Sequence, residues 1–308
     1  HDHHQVMKFL RRTFAETECI ENWLPPRFEN NSRDMASGIM LWEDYGDIVS
    51  LAVPEVFFVY FIHLHPGYIW LYEEIVEWIE EFTTTYKNEL DEIGTETLSI
   101  IDLEGNPEKE KVLHDHGFTC LMVYGIFRIR DMETPIQYFK LPNGFSIRSA
   151  QPEDFDEIAS CIRKIFGHGE WFTQQILEDT VRASFYQQDL DLVIVNEDGK
   201  IVSFCTFRLD SPSGITELEP VGTLEEYRSR GFARALIYEG LRRLRTYNPS
   251  FLYIGGATDT PSANRLYEVT GFTESFDLYN WEKPLRSLLK PFLHFLISLV
   301  FFYVVVLC

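Results

Sequence analysis

The sequence predicts an α/β fold in two tandem copies, each a mixed twisted sheet flanked by helices, followed by a C-terminal apolar tail. The main observation is a repeat of about 150 residues. Two pairs of similar turns and helix ends, each closed by glycine, and one pair of phenylalanines all lie 152 to 154 residues apart. The pairs are Gly46 with Gly199, Gly117 with Gly271, and Phe14 with Phe166.

The length and composition agree with two folded domains. The chain has 308 residues, and a typical domain has about 100–200. Hydrophobic residues make up 45% and aromatic residues 15%, enough to build packed cores. The net charge of -21 would repel a phosphate backbone, so we do not expect a nucleic-acid partner.

The five cysteines are scattered and form no CxxC pair or even framework. We interpret them as reduced thiols in a cytoplasmic protein. No segment resembles a signal peptide, and we predict no metal site.

The repeat also gives the domain limits. We predict a first domain over 1–131, a linker over 132–143, a second domain over 144–284 and an apolar tail over 285–308. The second copy opens with a strand from Phe145 to Arg148 and then a helix. Shifted back by the repeat distance, that strand falls before residue 1. We therefore expect the first copy to lack its opening strand, as in a chain that begins inside a copy.

The second copy contains a strand that ends near Thr223 and a helix that begins near Gly231. An apolar stripe at helical spacing supports the helix. Its members are Ala233, Leu236, Ile237, Gly240, Leu241 and Leu244.

Three arginines crowd the start of this helix: Arg228, Arg230 and Arg234. A helix N-terminus disfavours cations, so this pattern indicates a bound anion, which the free backbone N–H groups also attract. A solvated basic helix face is the alternative interpretation.

The segment Arg228-x-x-Gly231-x-Ala233 resembles the [Q/R]-x-x-G-x-[G/A] motif of the GNAT superfamily of N-acetyltransferases. The resemblance implies acetyl-CoA as co-substrate, with its pyrophosphate on this loop and its pantetheine arm along the preceding strand. It also implies a set of cofactor-binding residues. These are Val221, Gly222, Thr223, Arg228, Ser229, Arg230, Gly231, Phe232, Ala233, Thr260 and Asn264.

A second element of the same family follows. A short helix over 262–269, then Thr270-Gly271-Phe272, is similar to the family's Leu-Tyr-Glu…Gly-Phe element. The resemblance implies that Tyr267 protonates the leaving thiolate; a packing aromatic is the alternative. Thr260 stands where many members carry Asn, which puts that pantetheine contact in doubt. Glu219 or Glu217 is a candidate general base, unless both are solvated edge charges.

The resemblance implies an N-acyltransferase that moves an acetyl group from acetyl-CoA to a primary amine, carried by a small molecule or a peptide. The alternative is a GNAT-fold protein that binds acyl-CoA or a metabolite without turnover. His168, Glu170 and Trp171 are candidates for acceptor binding, or they belong to a packed loop. The sequence does not indicate an oligomeric state.

The first copy looks degenerate. Tyr68 matches Tyr227, but no Arg or Lys follows it before Tyr86, and several glutamates do. His114 stands where the second copy has Tyr267. We therefore expect the first copy to keep the fold and to have largely lost CoA binding.

The tail over 291–308 is almost wholly apolar. Its length is barely enough to span a bilayer as a helix, about 27 Å at 1.5 Å per residue. A membrane anchor, a docking helix or strand, or a translation artefact are the open interpretations. Membrane contact is expected only through this tail.

Overall fold

The computed structural model describes residues 2–21, 23–31, 38–56, 58–90 and 97–285. The tail prediction falls on 285–308, so all of it except Leu285 lies outside the described residues. Among the helices of the described ranges, none is both long and apolar enough to cross a membrane.

Backbone contacts divide the chain into two compact units. The first contains residues up to Ile126 and, of the described residues, 276–285; the second contains 127–275. The limits 1–131 and 144–284 stay predictions, since the contact units divide at other positions.

The first unit is a mixed sheet with helices on both faces. Its helices are α1 (Asp2–Thr17), α2 (Pro25–Asn31), α3 (Tyr72–Leu90) and α4 (Pro107–Asp115). Its strands are β1 (Met40–Asp44), β2 (Asp47–Val56), β3 (Val59–Leu64), β4 (Thr97–Leu103), β5 (Thr119–Arg130) as far as Ile126, and the end of β11 (Phe272–Pro284). The strand β3 pairs parallel with β4, and the pairs β1–β2, β2–β3 and β4–β11 are antiparallel.

Alternation along these strands builds the two halves of the core. On one face, Ala52 and Ile100 pack with Ile75 of α3. On the other face, Leu51 packs with Phe9 of α1. The predicted pattern of a mixed sheet between helices is confirmed.

The second unit repeats this order of elements. It contains β6 (Phe145–Ser149), α5 (Phe155–Phe166), α6 (Gln174–Thr180), β7 (Asp191–Asn196), β8 (Ile201–Asp210), β9 (Ile215–Thr223), α7 (Phe232–Leu244), β10 (Phe251–Ala257) and α8 (Pro261–Val269). The strands β6 to β9 are antiparallel neighbours, and β10 pairs parallel with β9.

The two copies differ at their beginnings. The second opens with β6, whereas in the described part of the first copy no strand precedes α1. The turns predicted around Gly46 and Gly199 are both present, with φ of 84° and 79°. The predicted linker, 132–143, contains neither helix nor strand.

In both units the central parallel pairing is short. The strands β9 and β10 pair from Phe251–Ile215 to Tyr253–Glu217 and no further. The strands β3 and β4 likewise end their pairing at Phe61–Ile101. In each unit, therefore, the last part of the central strand, β3 or β9, is no longer paired with its parallel neighbour, β4 or β10.

In the first unit a buried ionic network lies just beyond that point. The Tyr72 hydroxyl donates to Asp102 Oδ2 at 2.7 Å, and Lys109 Nζ lies 3.1 Å from Asp102 Oδ1 and also contacts Glu21. Burial lowers the pKa of Lys109, but the charges of Asp102 and Glu21 outweigh it, so the net shift is upward. Lys109 is therefore a permanently charged group inside the first unit.

His63 lies close to this network. Its Nδ1 accepts the amide N–H of Trp23 at 2.8 Å. Burial, reinforced by the charge of Lys109, lowers the pKa of His63 to about 3. His63 is therefore neutral at physiological pH.

We predict that Lys109→Met will destabilise the first unit by about 3–5 kcal/mol, because it leaves two carboxylates without their cation in a buried site. The free energy of unfolding in urea measures this. Lys111→Met is the matched control, since Lys111 is on the same helix but exposed, and it should change the free energy of unfolding far less. Equal effects of the two substitutions would show that the network is not stabilising.

Candidate functional site

The predicted strand, turn and helix of the second unit are present. After β9 ends at Thr223, a short 3-10 turn over Glu225–Tyr227 leads to α7. Ser229 and Gly231 both have positive φ, 63° and 80°. The first helical hydrogen bond runs from the Ala235 amide to the Gly231 carbonyl at 2.9 Å. The amides of residues 232–234 therefore have no acceptor within the helix and are available to an anion.

Arg228 and Arg230 lie exposed beside this helix start. Arg228 Nε donates to the Thr223 carbonyl at 3.3 Å, and the Arg230 guanidinium lies 5.2 Å from the Tyr227 ring centroid. Within the described ranges, no carboxylate forms an ion pair with Arg228, Arg230 or Arg234. The described carboxylates thus leave the positive charge at this end of α7 without an ion pair.

Gly231 is also covered by the predicted linker. A Cβ built on Gly231 would lie 2.4 Å from Cζ of Phe139, and the Arg234 guanidinium lies 4.4 Å from the centroid of the same ring. Arg242 also donates to the Gln137 carbonyl at 3.3 Å. The resemblance places Gly231 in the loop that holds a pyrophosphate; the structure shows that positive φ and the Phe139 ring require glycine here.

The residues predicted on β9 have different environments. The Ser203 hydroxyl donates to the Gly222 carbonyl at 2.7 Å and lies 2.8 Å from the Thr223 hydroxyl. A Cβ on Gly222 would lie 2.7 Å from Phe204, so this position must be small. Val221 is half-buried.

Phe232 and Ala233, the next two predicted cofactor-binding residues, differ in burial. Phe232 is buried, with its ring 4.7 Å from that of Phe145, so only its backbone amide is available at the helix start. Ala233 is half-buried rather than buried. The predicted apolar stripe is wider than expected, because Phe232, Ala235 and Tyr238 are buried as well.

The two carboxylates considered as bases are not equivalent. Glu217 is fully buried and forms an ion pair with Arg208 at 3.3 Å. Glu219 is half-buried. Because Glu219 is not fully buried in an ion pair with Arg208, it is the better candidate for the general base.

Tyr267 is buried near the end of α8. Burial raises the pKa of its phenol, the charges of Glu219 and Cys205 raise it further, and the charge of Arg128 opposes them. The phenol therefore stays protonated at neutral pH, and Glu219 is close enough to influence its ionisation.

The other two predicted residues of this element have hydrogen-bond partners. The Thr260 hydroxyl caps α8 by accepting the Ala263 amide at 3.3 Å. Asn264 donates to Asp259 Oδ1 at 2.8 Å and accepts from Arg128 Nη2 at 2.6 Å.

Arg128 belongs to this site although neither motif in the sequence indicated it. It lies on β5, is 7% exposed, and its guanidinium carbon is 5.7 Å from the Tyr267 ring centroid. It lies outside both family motifs. The sequence does contain one indication of its role. Arg128 and Arg130 alternate with apolar residues in the strand Gly125-Ile-Phe-Arg-Ile-Arg130, and buried arginines require partners.

A known protein family matches the part of the chain that contains this site. Residues 155–272, from α5 to the start of β11, match the model of the acetyltransferase (GNAT) family. The chain contains a GNAT acetyltransferase domain. No curated protein matches the chain.

Solved structures extend the resemblance to both units. A GCN5-related N-acetyltransferase from Sphaerobacter thermophilus has a TM-score of 0.64 at 17% identity, over 91% of this chain and 92% of that one. A tandem GNAT protein from the clavulanic acid biosynthesis pathway has a TM-score of 0.62 at 12% identity, over 92% and 94%. At these identities the likeness shows the fold, so the chain has a tandem GNAT fold. That fold supports acyl transfer from acyl-CoA in general.

The loop predicted to bind the acceptor lies between α5 and α6 of the GNAT domain. His168 packs against Trp171 and Phe172, with ring centroids 5.3 Å apart in each case. Burial lowers the pKa of His168. Trp171 is 57% exposed, and the Glu170 carboxylate is almost fully exposed, 3.8 Å from Arg163. The loop thus presents an aromatic surface and one accessible carboxylate.

The corresponding region of the first GNAT-like unit has the opposite charge. Glu73 and Glu74 occupy the first turn of α3, and Trp70 is 69% exposed just before it. The Tyr68 hydroxyl donates to Asp44 Oδ2 at 2.8 Å. His114, at the position equivalent to Tyr267, packs its ring against Trp281. An anion at this helix start would meet carboxylates rather than arginines.

We predict that Gly231→Ala will destabilise the second unit more than Gly199→Ala does. Both substitutions place Ala at positive φ, which costs about 1–2 kcal/mol. Only at Gly231 does the new methyl also meet a ring, while nothing lies within 4 Å at Gly199. Overpacking should add about 1–3 kcal/mol to the loss of unfolding free energy. Adding Phe139→Ala to Gly231→Ala should remove that excess; if the excess persists, the ring does not cover Gly231.

Proposed function

We propose that the second unit is an N-acyltransferase that moves an acetyl group from acetyl-CoA to a primary amine. The observation that carries this proposal is the release of β9 from β10 after Glu217, immediately before a helix start bearing three arginines. The match to the GNAT family covers this same segment.

The residues present fit acetyl-CoA. Beyond Glu217, Leu218 and residues 221–223 still pair with β8, whereas the pairing with β10 has ended. Backbone N–H and C=O groups need hydrogen-bond partners, and the amide-bearing pantetheine arm supplies them in strand-like fashion. The amides of 232–234, with Arg228 and Arg230, are suited to its pyrophosphate.

Two side chains of the second unit are placed to move the protons of the reaction. Acyl-CoA supplies the acyl group as a thioester. As the amine forms a C–N bond and the C–S bond breaks, the sulfur needs a proton and the amine must lose one. Tyr267 holds a proton at neutral pH and is assigned as the acid. Glu219 is assigned as the base, directly or through a water molecule.

The acceptor is proposed to enter beside the α5–α6 loop. Trp171 and Glu170 offer an aromatic face and a negative charge, both of which attract a protonated amine. A small-molecule or peptide amine satisfies this chemistry. The overall charge of -21 disfavours a nucleic-acid acceptor.

The first unit is proposed to be a degenerate copy. Its helix start carries Glu73 and Glu74, which repel a pyrophosphate, and buried charges fill the region beyond the β3–β4 pairing. Its role is then to complete the fold rather than to bind acyl-CoA.

We predict that acetyl-CoA binds the wild-type protein with one site, measured by calorimetric titration, and that Arg228→Ala weakens binding at least tenfold. Loss of one charge-assisted contact costs about 1.5–3 kcal/mol, which corresponds to such a factor. Arg245→Ala is the matched control, because Arg245 follows the other end of α7 and carries the same charge. No binding by folded wild type would defeat the proposed function.

We predict that Tyr267→Phe lowers kcat for thiol release about 100-fold or more, with little change in acetyl-CoA affinity, since general acid catalysis contributes about 10²–10⁴-fold. Release of free thiol is followed against a panel of amines. Acetyl-CoA binding without thiol release for any amine would favour the non-catalytic alternative. Full activity of Tyr267→Phe would remove Tyr267 from the mechanism.

A further inference from the structure

Arg128 is a buried cation whose contacts all lead to the proposed acyl-transfer site. One arm of its guanidinium, Nη2, donates to Asn264 Oδ1 at 2.6 Å. Its Nε is buried without a hydrogen-bond partner among the described residues. Its guanidinium carbon lies 5.7 Å from the Tyr267 ring centroid. No carboxylate of the described residues forms an ion pair with Arg128, and burial of an arginine without an ion pair is costly, so we looked for a function at this position.

The neighbouring Arg130 shows what a purely structural arginine looks like in this strand. It is 3% exposed and donates to three backbone carbonyls, those of Asp131, Thr134 and Thr270. Arg130 ties the start of the linker to the end of α8. Arg128, two residues earlier, instead contacts side chains of α8.

We propose that Arg128 is a positioning residue for acyl transfer, which holds Asn264 in place and sets its positive charge beside the phenol of Tyr267. This inference rests on the proposed function of the same site. When Tyr267 gives its proton to the leaving sulfur, the O–H bond breaks and the phenolic oxygen gains a negative charge. A guanidinium fixed beside the ring stabilises that charge at the moment it forms, without any movement of solvent.

Two features of the site oppose ionisation of the phenol. Burial disfavours the phenolate most, and the charge of Glu219 on β9 adds to that effect. Arg128 on β5 is the group that acts in the opposite direction. Without Arg128 the phenol would be a weaker acid, so it would give up its proton less readily to the sulfur.

Titration of residue 267 tests the inference directly. Difluorotyrosine, whose phenol is more acidic than that of tyrosine, replaces Tyr267 in the full chain, and its ionisation is followed by ¹⁹F NMR. Arg128→Met should raise the pKa of the fluorinated phenol by about one unit or more, as expected for loss of a cation at this distance. Arg128→Gln, which is neutral but can still hydrogen-bond Asn264, should show the same upward shift and serves if Arg128→Met does not fold.

Arg130→Met is the matched control, since it removes an equally buried arginine from the same strand. It should lower stability but leave the titration unchanged. An unchanged pKa in folded Arg128→Met or Arg128→Gln would overturn the inference. A shift of the same size in Arg130→Met would do so as well, because it would indicate a general loosening of the site.

A double-mutant cycle gives a kinetic test. Arg128→Met should lower kcat for thiol release at least tenfold when Tyr267 is present and less than twofold in the Tyr267→Phe background. Equal losses in both backgrounds would mean that Arg128 does not act through Tyr267. If wild type releases no thiol with any amine, the proposed function fails, while the ¹⁹F titration still decides whether Arg128 controls Tyr267.

Discussion

The parallel pairing of β9 with β10 ends after three residue pairs, and the rest of the site depends on this early end. A strand in the middle of a sheet normally satisfies both of its edges, and an unpaired buried backbone group is costly. Leu218 and residues 221–223 keep their pairing with β8, on either side of a shift in register, but lie beyond the pairing with β10. The sheet thus presents a strand edge inside the domain, and it leads directly to the N-terminal end of α7.

The same constraint has a different outcome in the first unit. The β3–β4 pairing also ends early, but Tyr72, Asp102, Lys109 and Glu21 form a buried network next to that point. Duplicated folds inherit the same backbone geometry, whereas the side chains decide what occupies it. One copy fills the region with its own charges, and the other places arginines and a protonated phenol around it.

Much of the fold could be predicted from the sequence, because local patterns set it. The turns at Gly46 and Gly199, the helix after Gly231 and the helix before Gly271 all follow from turn chemistry and apolar spacing. The N-cap of α8 is also predictable, since Thr260 followed by Pro261 is a typical helix start. This capping role explains why a Thr occurs at position 260.

The parts that could not be predicted are contacts between residues far apart in the chain. Phe139 lies in a segment without periodicity, so nothing local indicated that its ring would cover Gly231. Arg128 meets Asn264 across 136 residues, and neither family motif includes it. The burial of Glu217 against Arg208 depends on the register of β8 with β9, which alternation alone does not determine.

Acyl-CoA is proposed to bind along the edge of β9 that β10 leaves unpaired and at the start of α7. Hydrogen–deuterium exchange, measured with and without acetyl-CoA, tests this most directly. We expect slower exchange of the backbone amides of 218, 219, 221–223 and 228–234, with no change in 59–74 of the first unit. Protection in the first unit, or none in the second at a saturating concentration of acetyl-CoA, would contradict it.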